Sequence, residues 1–177
     1  MLDINLIINS LWIFLPAAIA NMTASLSRFL PLPKYPLDFN LKYKGKRIFG
    51  ENKTFRGLII GSILAGLGAM ALNNIYSIGF SSFNYSGNLF VLGVVLGFGA
   101  LIGDAVESFF KRQAKIPPGK SWIPFDQIDW IIGAYITSYL ILNIPLTSFL
   151  ITLIIFGTLH PLINYFGYSL KLQKNKL

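Results

Sequence analysis

The stretch LFVLGVVLGFGALIGDAVESFF, Leu89 to Phe110, decides the fold. It carries no charge before Asp104, and a helix crosses the hydrocarbon core with about 20 mostly apolar residues. Four further stretches meet or nearly meet that length: Ile4 to Leu30, Gly57 to Ile78, Ile128 to Ile144 and Leu146 to Leu170. The whole chain agrees with them. Of its 177 residues 54% are apolar and 12% charged, too few charges to coat a soluble domain. The expected fold is an all-α integral membrane protein of one domain. Five transmembrane helices form the bundle, and two functional cytoplasmic loops cover residues 31–56 and 111–127. The first apolar run is too long for a cleaved leader and has Asp3 where a basic segment would stand, so it is read as a span. Cysteine is absent, which excludes disulfides and thiolate metal sites.

Charge sets the expected orientation. Arg28 to Arg56 hold eight Lys and Arg, Lys111 to Lys120 four, and the tail after Leu170 three, whereas Asn73 to Asn88 and the turn around Pro145 hold none. Cytoplasmic loops collect basic residues. This predicts an external N-terminus, a cytoplasmic C-terminus and a functional face on the cytosolic side of a cell membrane. The net charge of +8 suits anionic lipid headgroups better than nucleic acid in a chain so apolar. Lys42, Lys44, Lys46 and Arg47 are read as topology signals or headgroup contacts.

Small residues recur at helix-packing spacing: Gly57, Gly61 and Ala65 in the second stretch, then Gly93 with Gly97 and Gly99 with Gly103 in the third. They read as close helix contacts, not as phosphate loops. In the first stretch Pro16 is a candidate kink, and Asn21, Ser25 and Arg28 share a helical face that should border a cavity. No internal repeat is visible, and five spans do not divide into two inverted halves, which weakens a transporter reading.

Four of the seven acidic residues lie in or beside the third and fourth stretches: Asp104, Glu107, Asp126 and Asp129. An uncompensated carboxylate at a helix centre in the bilayer costs roughly 2.5 to 3.5 kcal/mol on insertion scales. Asp104 has no basic residue three or four positions later, so its compensation must be a cation or a side chain from another helix. Asp104, Ser108 and Lys111 share a face, with Glu107 and Arg112 at its edges. Glu107 and Lys111 can also form a plain i,i+4 ion pair. Asp126 and Asp129 stand three apart at the start of the fourth stretch, where they could be helix caps. Carboxylates converging at one interface among Lys and Arg also suit a hard, oxygen-liganded cation such as magnesium, shared with substrate phosphates. The single His160, before Pro161, is read as a packed or hydrogen-bonded side chain.

The run GDAVESFFKRQAKIPPGKSWIPFDQIDW, Gly103 to Trp130, resembles the signature region of the CDP-alcohol cytidylyltransferases. Gly103, Asp104, Glu107, Ser108, Lys111, Arg112, Pro118, Gly119, Asp126 and Asp129 match it. Upstream, NKTFRG from Asn52 to Gly57 is similar to the family's KT.EG segment, with Lys53 and Thr54 in register. Arg56 departs from the acidic residue of the bacterial members. Bacterial members are longer, with more spans, and have a His-Gly-Gly loop and Asp-Arg before the last Asp, where this chain has PFDQID. PAAIAN at Pro16 to Asn21, GENKTFRG and PPGKSWIPFDQID together resemble the archaeal branch, the CDP-archaeol synthases, from Pro16 to about Ala134.

That resemblance implies transfer of a cytidylyl group from CTP to an isoprenoid ether-lipid phosphate, 2,3-bis-O-geranylgeranylglycerol 1-phosphate, with release of pyrophosphate. It implies Asp104, Asp126 and Asp129 as ligands of Mg2+, and Lys53, Lys111 and Arg112 as phosphate contacts. Asn21, Arg28, Asn52, Thr54, Arg56, Glu107, Ser108 and Lys120 complete the expected substrate site.

Overall fold

The computed structural model describes residues 3–117 and 120–169, with side chains to residue 159. Pro118 and Gly119 of the signature loop, the His160 side chain and the basic tail lie outside what is described.

The described residues form six α-helices, and small polar residues start three of them. Asp3 Oδ1 accepts the Asn5 N–H at 2.9 Å to open α1, Ile4–Leu26, which closes in a 3-10 turn over Ser27–Phe29. Thr54 Oγ1 accepts the Gly57 N–H at 3.1 Å and opens α2, Phe55–Ile75. Asn88 does the same for α4, Leu89–Gln113, after the short α3, Ile78–Ser81. Such caps satisfy N–H groups that the first helical turn leaves without partners. α5 is Phe125–Ser138 and α6 is Leu146–Ser169.

Helices α1, α2 and α4 are each long and apolar enough to cross a membrane. Ile59, Ile63, Leu67 and Met70 leave an apolar stripe of α2 exposed, and Phe98, Ile102, Val106 and Phe110 do so on α4. Small and polar side chains turn inward instead: Ser10, Ser62, Ser138, Ser148 and Thr152 are buried. This distribution suits lipid as the outer solvent. The fourth stretch differs from its expected span over residues 128–144. Its helix starts three residues earlier and stops at Ser138, a length of about 21 Å at the α-helical rise. The chain turns from Tyr139 onward, ahead of Pro145. Starting early carries Asp126 into the first helical turn.

Helix α4 occupies the centre, and its two glycine pairs serve two neighbours. Gly93 lies against the Ala65 carbonyl of α2, and Gly97 against Ala65 and Ala20. Gly99 and Gly103 face Gly133 and the Asp129 main chain on α5. At Gly93, Gly99 and Gly103 the neighbouring main chain is closer than a β-carbon would permit, so backbone meets backbone, while Gly97 makes room for the Ala65 methyl. Ile13, Phe14, Leu92, Leu96, Trp130 and Ile131 fill the core around this axis. α6 joins it through the Thr152 hydroxyl, which donates to the Ser10 carbonyl of α1 at 2.8 Å.

The loop between α1 and α2 is folded around Asp38, which is 3% exposed. Its carboxylate accepts from the Arg47 guanidinium and from the Asn40, Phe49 and Gly50 N–H groups. Burial opposes the charged form of Asp38, and these donors overcome it, holding its pKa below the ordinary carboxylate value. Lys42–Tyr43 and Lys46–Arg47 pair as a two-stranded hairpin, β1 and β2. Lys44 and Gly45 both have positive φ at its tip, the geometry that lets a two-residue turn follow the strand twist. The hairpin rests on the end of α4. Lys46 Nζ donates to the Gln113 carbonyl at 2.9 Å, and the Tyr43 and Phe109 rings lie 6.0 Å apart. Lys46 and Arg47, read as topology signals or headgroup contacts, therefore also bind within the fold.

Candidate active site

Asp104 and Glu107 descend from α4 and Asp129 from the first turns of α5, and close glycine packing brings the two helices together at this level. One carboxylate oxygen from each of the three lies within 4.8 Å of the others. Glu107 is 7% exposed, and its Oε1 has no hydrogen-bond partner. Asp129 Oδ1 accepts the Trp130 N–H at 2.7 Å. Three converging carboxylates, one of them buried and with an oxygen that makes no hydrogen bond, fit a hard divalent cation.

Two lysines border this cluster. Lys53 Nζ, from the loop preceding α2, lies 2.5 Å from Asp104 Oδ2, so the compensation for Asp104 comes from another element, as its spacing requires. Lys111 is 8% exposed, with Nζ 2.6 Å from Asp126 Oδ1 and 3.6 Å from Glu107 Oε1. The Trp122 N–H donates to Asp126 Oδ2 at 2.7 Å. Of the expected ligands, Asp104 and Asp129 stand in this group together with Glu107, while Asp126 lies beside it, paired with Lys111 and accepting from the Trp122 main chain.

Two cavities flank the cluster. The first, about 510 Å3, is lined by Asn21, Ser25 and Arg28 of the α1 stripe and by Lys34, Thr54 and Arg56. The second, about 520 Å3, is lined by all four carboxylates of the region, by Ser108 and by Lys46, Arg47, Lys111, Arg112 and Lys115. Asn52, Lys53 and Asp104 line both and form the wall between them.

Three expected contacts have particular surroundings. Arg56 donates to the Leu30 and Leu32 carbonyls at 3.0 and 2.6 Å, tying the end of α1 to α2. Thr54 is the α2 cap besides lining the first cavity. Lys120 is exposed and lines neither cavity. Lys34, Lys46, Arg47 and Lys115 line the cavities without having been singled out for the site. Asp38 also lies outside the expected site residues, although it is one of only two acids, with Glu51, in a loop of seven Lys and Arg over residues 31–56, a usable signal.

The chain matches the model of the CarS-like CDP-archaeol synthase family over residues 3–176. It is 35% identical over 160 residues to the CDP-archaeol synthase of Thermococcus onnurineus, covering 90% of each chain. It is 36% identical over 171 residues to that of Methanopyrus kandleri, covering 93% of this chain and 90% of the relative. It is 33% identical over 177 residues to that of Methanocaldococcus jannaschii, covering 95% and 96%. Among solved structures, an intramembrane enzyme for archaeal membrane lipids biosynthesis superposes with a TM-score of 0.71 at 26% identity, covering 87% of this chain and 91% of that one. Helix arrangement, signature residues and relatives agree across nearly the full length, and the chain belongs to the CDP-archaeol synthase family.

Proposed function

We propose that this chain transfers the cytidylyl group of CTP to 2,3-bis-O-geranylgeranylglycerol 1-phosphate, giving the unsaturated CDP-archaeol and pyrophosphate. The observation that carries the reading is the pair of polar cavities with a common wall at Lys53 and Asp104. Two polyanions that repel each other have to meet at one phosphorus, and adjoining basic cavities supply a place for each.

The first cavity receives the lipid phosphate. Arg28, Lys34 and Arg56 neutralise it, while the isoprenoid chains stay in the bilayer beside α1 and α2. The second receives the triphosphate of CTP, against Lys111, Arg112, Lys46 and Lys115. Asp104, Glu107 and Asp129 would hold Mg2+, which when bound neutralises phosphate oxygens and polarises the phosphorus under attack. A phosphate oxygen of the lipid attacks the α-phosphorus of CTP. The bond from that phosphorus to the bridging oxygen breaks, and pyrophosphate leaves with the electron pair. A phosphate nucleophile needs little proton transfer, so the work of these residues is orientation and charge neutralisation. Asp126 fixes Lys111 in place for that purpose.

The membrane arrangement belongs to the same reading: five spans, an external N-terminus, a cytoplasmic C-terminus and a site open to cytosolic CTP. Purified protein in liposomes, given labelled CTP, Mg2+ and the ether-lipid phosphate, should form CDP-lipid and pyrophosphate. ATP, GTP and UTP serve as competitors, and an ester-lipid phosphate tests the acceptor. Solute uptake without turnover would instead identify a transporter.

A further inference from the structure

We infer that the Lys53 ammonium stands in for the divalent cation, leaving Asp104 when the cation binds and so becoming free to meet a substrate phosphate. The inference rests on the metal-dependent transfer proposed above. Lys53 is the one Lys or Arg within ion-pair distance of Asp104 among the described residues. Asp129 has none, and the nearest to Glu107 is Lys111 at 3.6 Å, itself closer to Asp126. The three carboxylates are therefore short of positive charge, and the buried Glu107 Oε1 makes no hydrogen bond. A divalent cation ligated by Asp104 neutralises the charge that holds Lys53 Nζ and repels the ammonium, so the two compete for one carboxylate.

Lys53 has somewhere to go. Its side chain is 21% exposed and lines both cavities, with Arg28, Lys34 and Arg56 beyond it on one side and Lys111 and Arg112 on the other. Moved off Asp104, it adds a positive charge beside the place where phosphates meet. Cation binding then strengthens phosphate binding, and by thermodynamic linkage phosphate strengthens cation binding. Lys53 is thus a phosphate contact held in reserve until the cation is present.

Equilibrium titration of the full-length chain in detergent with Mn2+ alone tests this, because competition fixes the sign of the effect. Lys53→Met should bind Mn2+ more tightly than the unsubstituted protein, on the order of 10-fold, and show a larger Mn2+-induced rise in melting temperature. The same substitution should raise KM for the lipid phosphate or CTP at saturating Mn2+. Lys53→Arg, which keeps the competing charge, should bind Mn2+ like the unsubstituted chain. Lys53→Gln provides a second neutral variant if the Met variant folds poorly. Unchanged or weaker Mn2+ binding in the neutral variants, with Asp104→Asn still abolishing it, would overturn the displacement of Lys53 and leave the carboxylate site intact. Mn2+ binding that survives both Asp104→Asn and Asp129→Asn would overturn the carboxylate site and the displacement together.

Discussion

Gly103 of α4 lies directly against the main-chain carbonyl of Asp129 on α5, with no room for a β-carbon between them. The residue before one carboxylate of the cluster thus touches the backbone of another, and the separation of Asp104 from Asp129 is set by the absence of a side chain.

Gly103→Ala should therefore force α5 outward. Overpacking of this kind costs about 1 to 3 kcal/mol, and displacing the carboxylates by about 1 Å should lower activity on the order of 100-fold. Gly93→Ala is the control, since Gly93 opposes α2 through Ala65 and lines neither cavity. It should lower the melting temperature while sparing turnover per folded molecule. Melting curves and steady-state rates on both variants check this.

The two aspartates of α5 should separate in kinetics. Asp129→Asn removes a member of the carboxylate cluster and should lose activity on the order of 100-fold or more. Asp126→Asn frees Lys111 to move toward Glu107, 3.6 Å away, engaging an oxygen of the cluster. It should lose on the order of 10-fold and need more Mg2+ for half-maximal rate. Rate against Mg2+ concentration distinguishes the two.

Asp38 gives the loop a pH signature. Its folded-state pKa is lowered by Arg47 and by main-chain donors that outweigh burial, so its stabilisation is present above the ordinary carboxylate value, 3.8. It fades as pH falls through the lower folded value. Asp38→Asn should cost about 3 kcal/mol at pH 7 by leaving the partners of a buried charge unsatisfied. It should also speed trypsin cleavage after Lys42, Lys44 and Lys46. The melting difference between the variant and the unsubstituted chain should shrink below pH 3.8.

Orientation can be tested because the chain has no cysteine. A membrane-impermeant maleimide added outside intact cells should label Asn84→Cys, in the uncharged segment after α3, and not Lys44→Cys at the hairpin tip. The reverse pattern would turn the protein over.

Much of this arrangement is written in local sequence. Apolar runs mark the long helices because lipid tolerates few charges, and Gly93, Gly97, Gly99 and Gly103 announce that α4 has close neighbours. Asp104 lacks a basic residue at helical spacing, which already points to a partner elsewhere. The identity of that partner is not local: Lys53 is 51 residues away in sequence. The place of Glu107 in the carboxylate cluster, with Asp126 beside it, has the same origin. Spacing places Asp126 and Asp129 on one side of a helical turn, but the position of Lys111 across the α4–α5 junction decides which of them is drawn aside. The α5 terminus at Ser138 is masked by Leu140, Ile141, Leu142 and Ile144, apolar residues that read as more span although residues 139–141 form a turn and 142–144 are not helical.

If each cavity takes one substrate as proposed, the product straddles Asn52, Lys53 and Asp104, its cytidine on one flank and its isoprenoid tails on the other. Neither half can then withdraw the way it came without dragging its counterpart through the partition. On the proposed reading, departure of the finished lipid draws its cytidine past that partition, a step separate from bond making that a first-turnover burst of pyrophosphate would reveal.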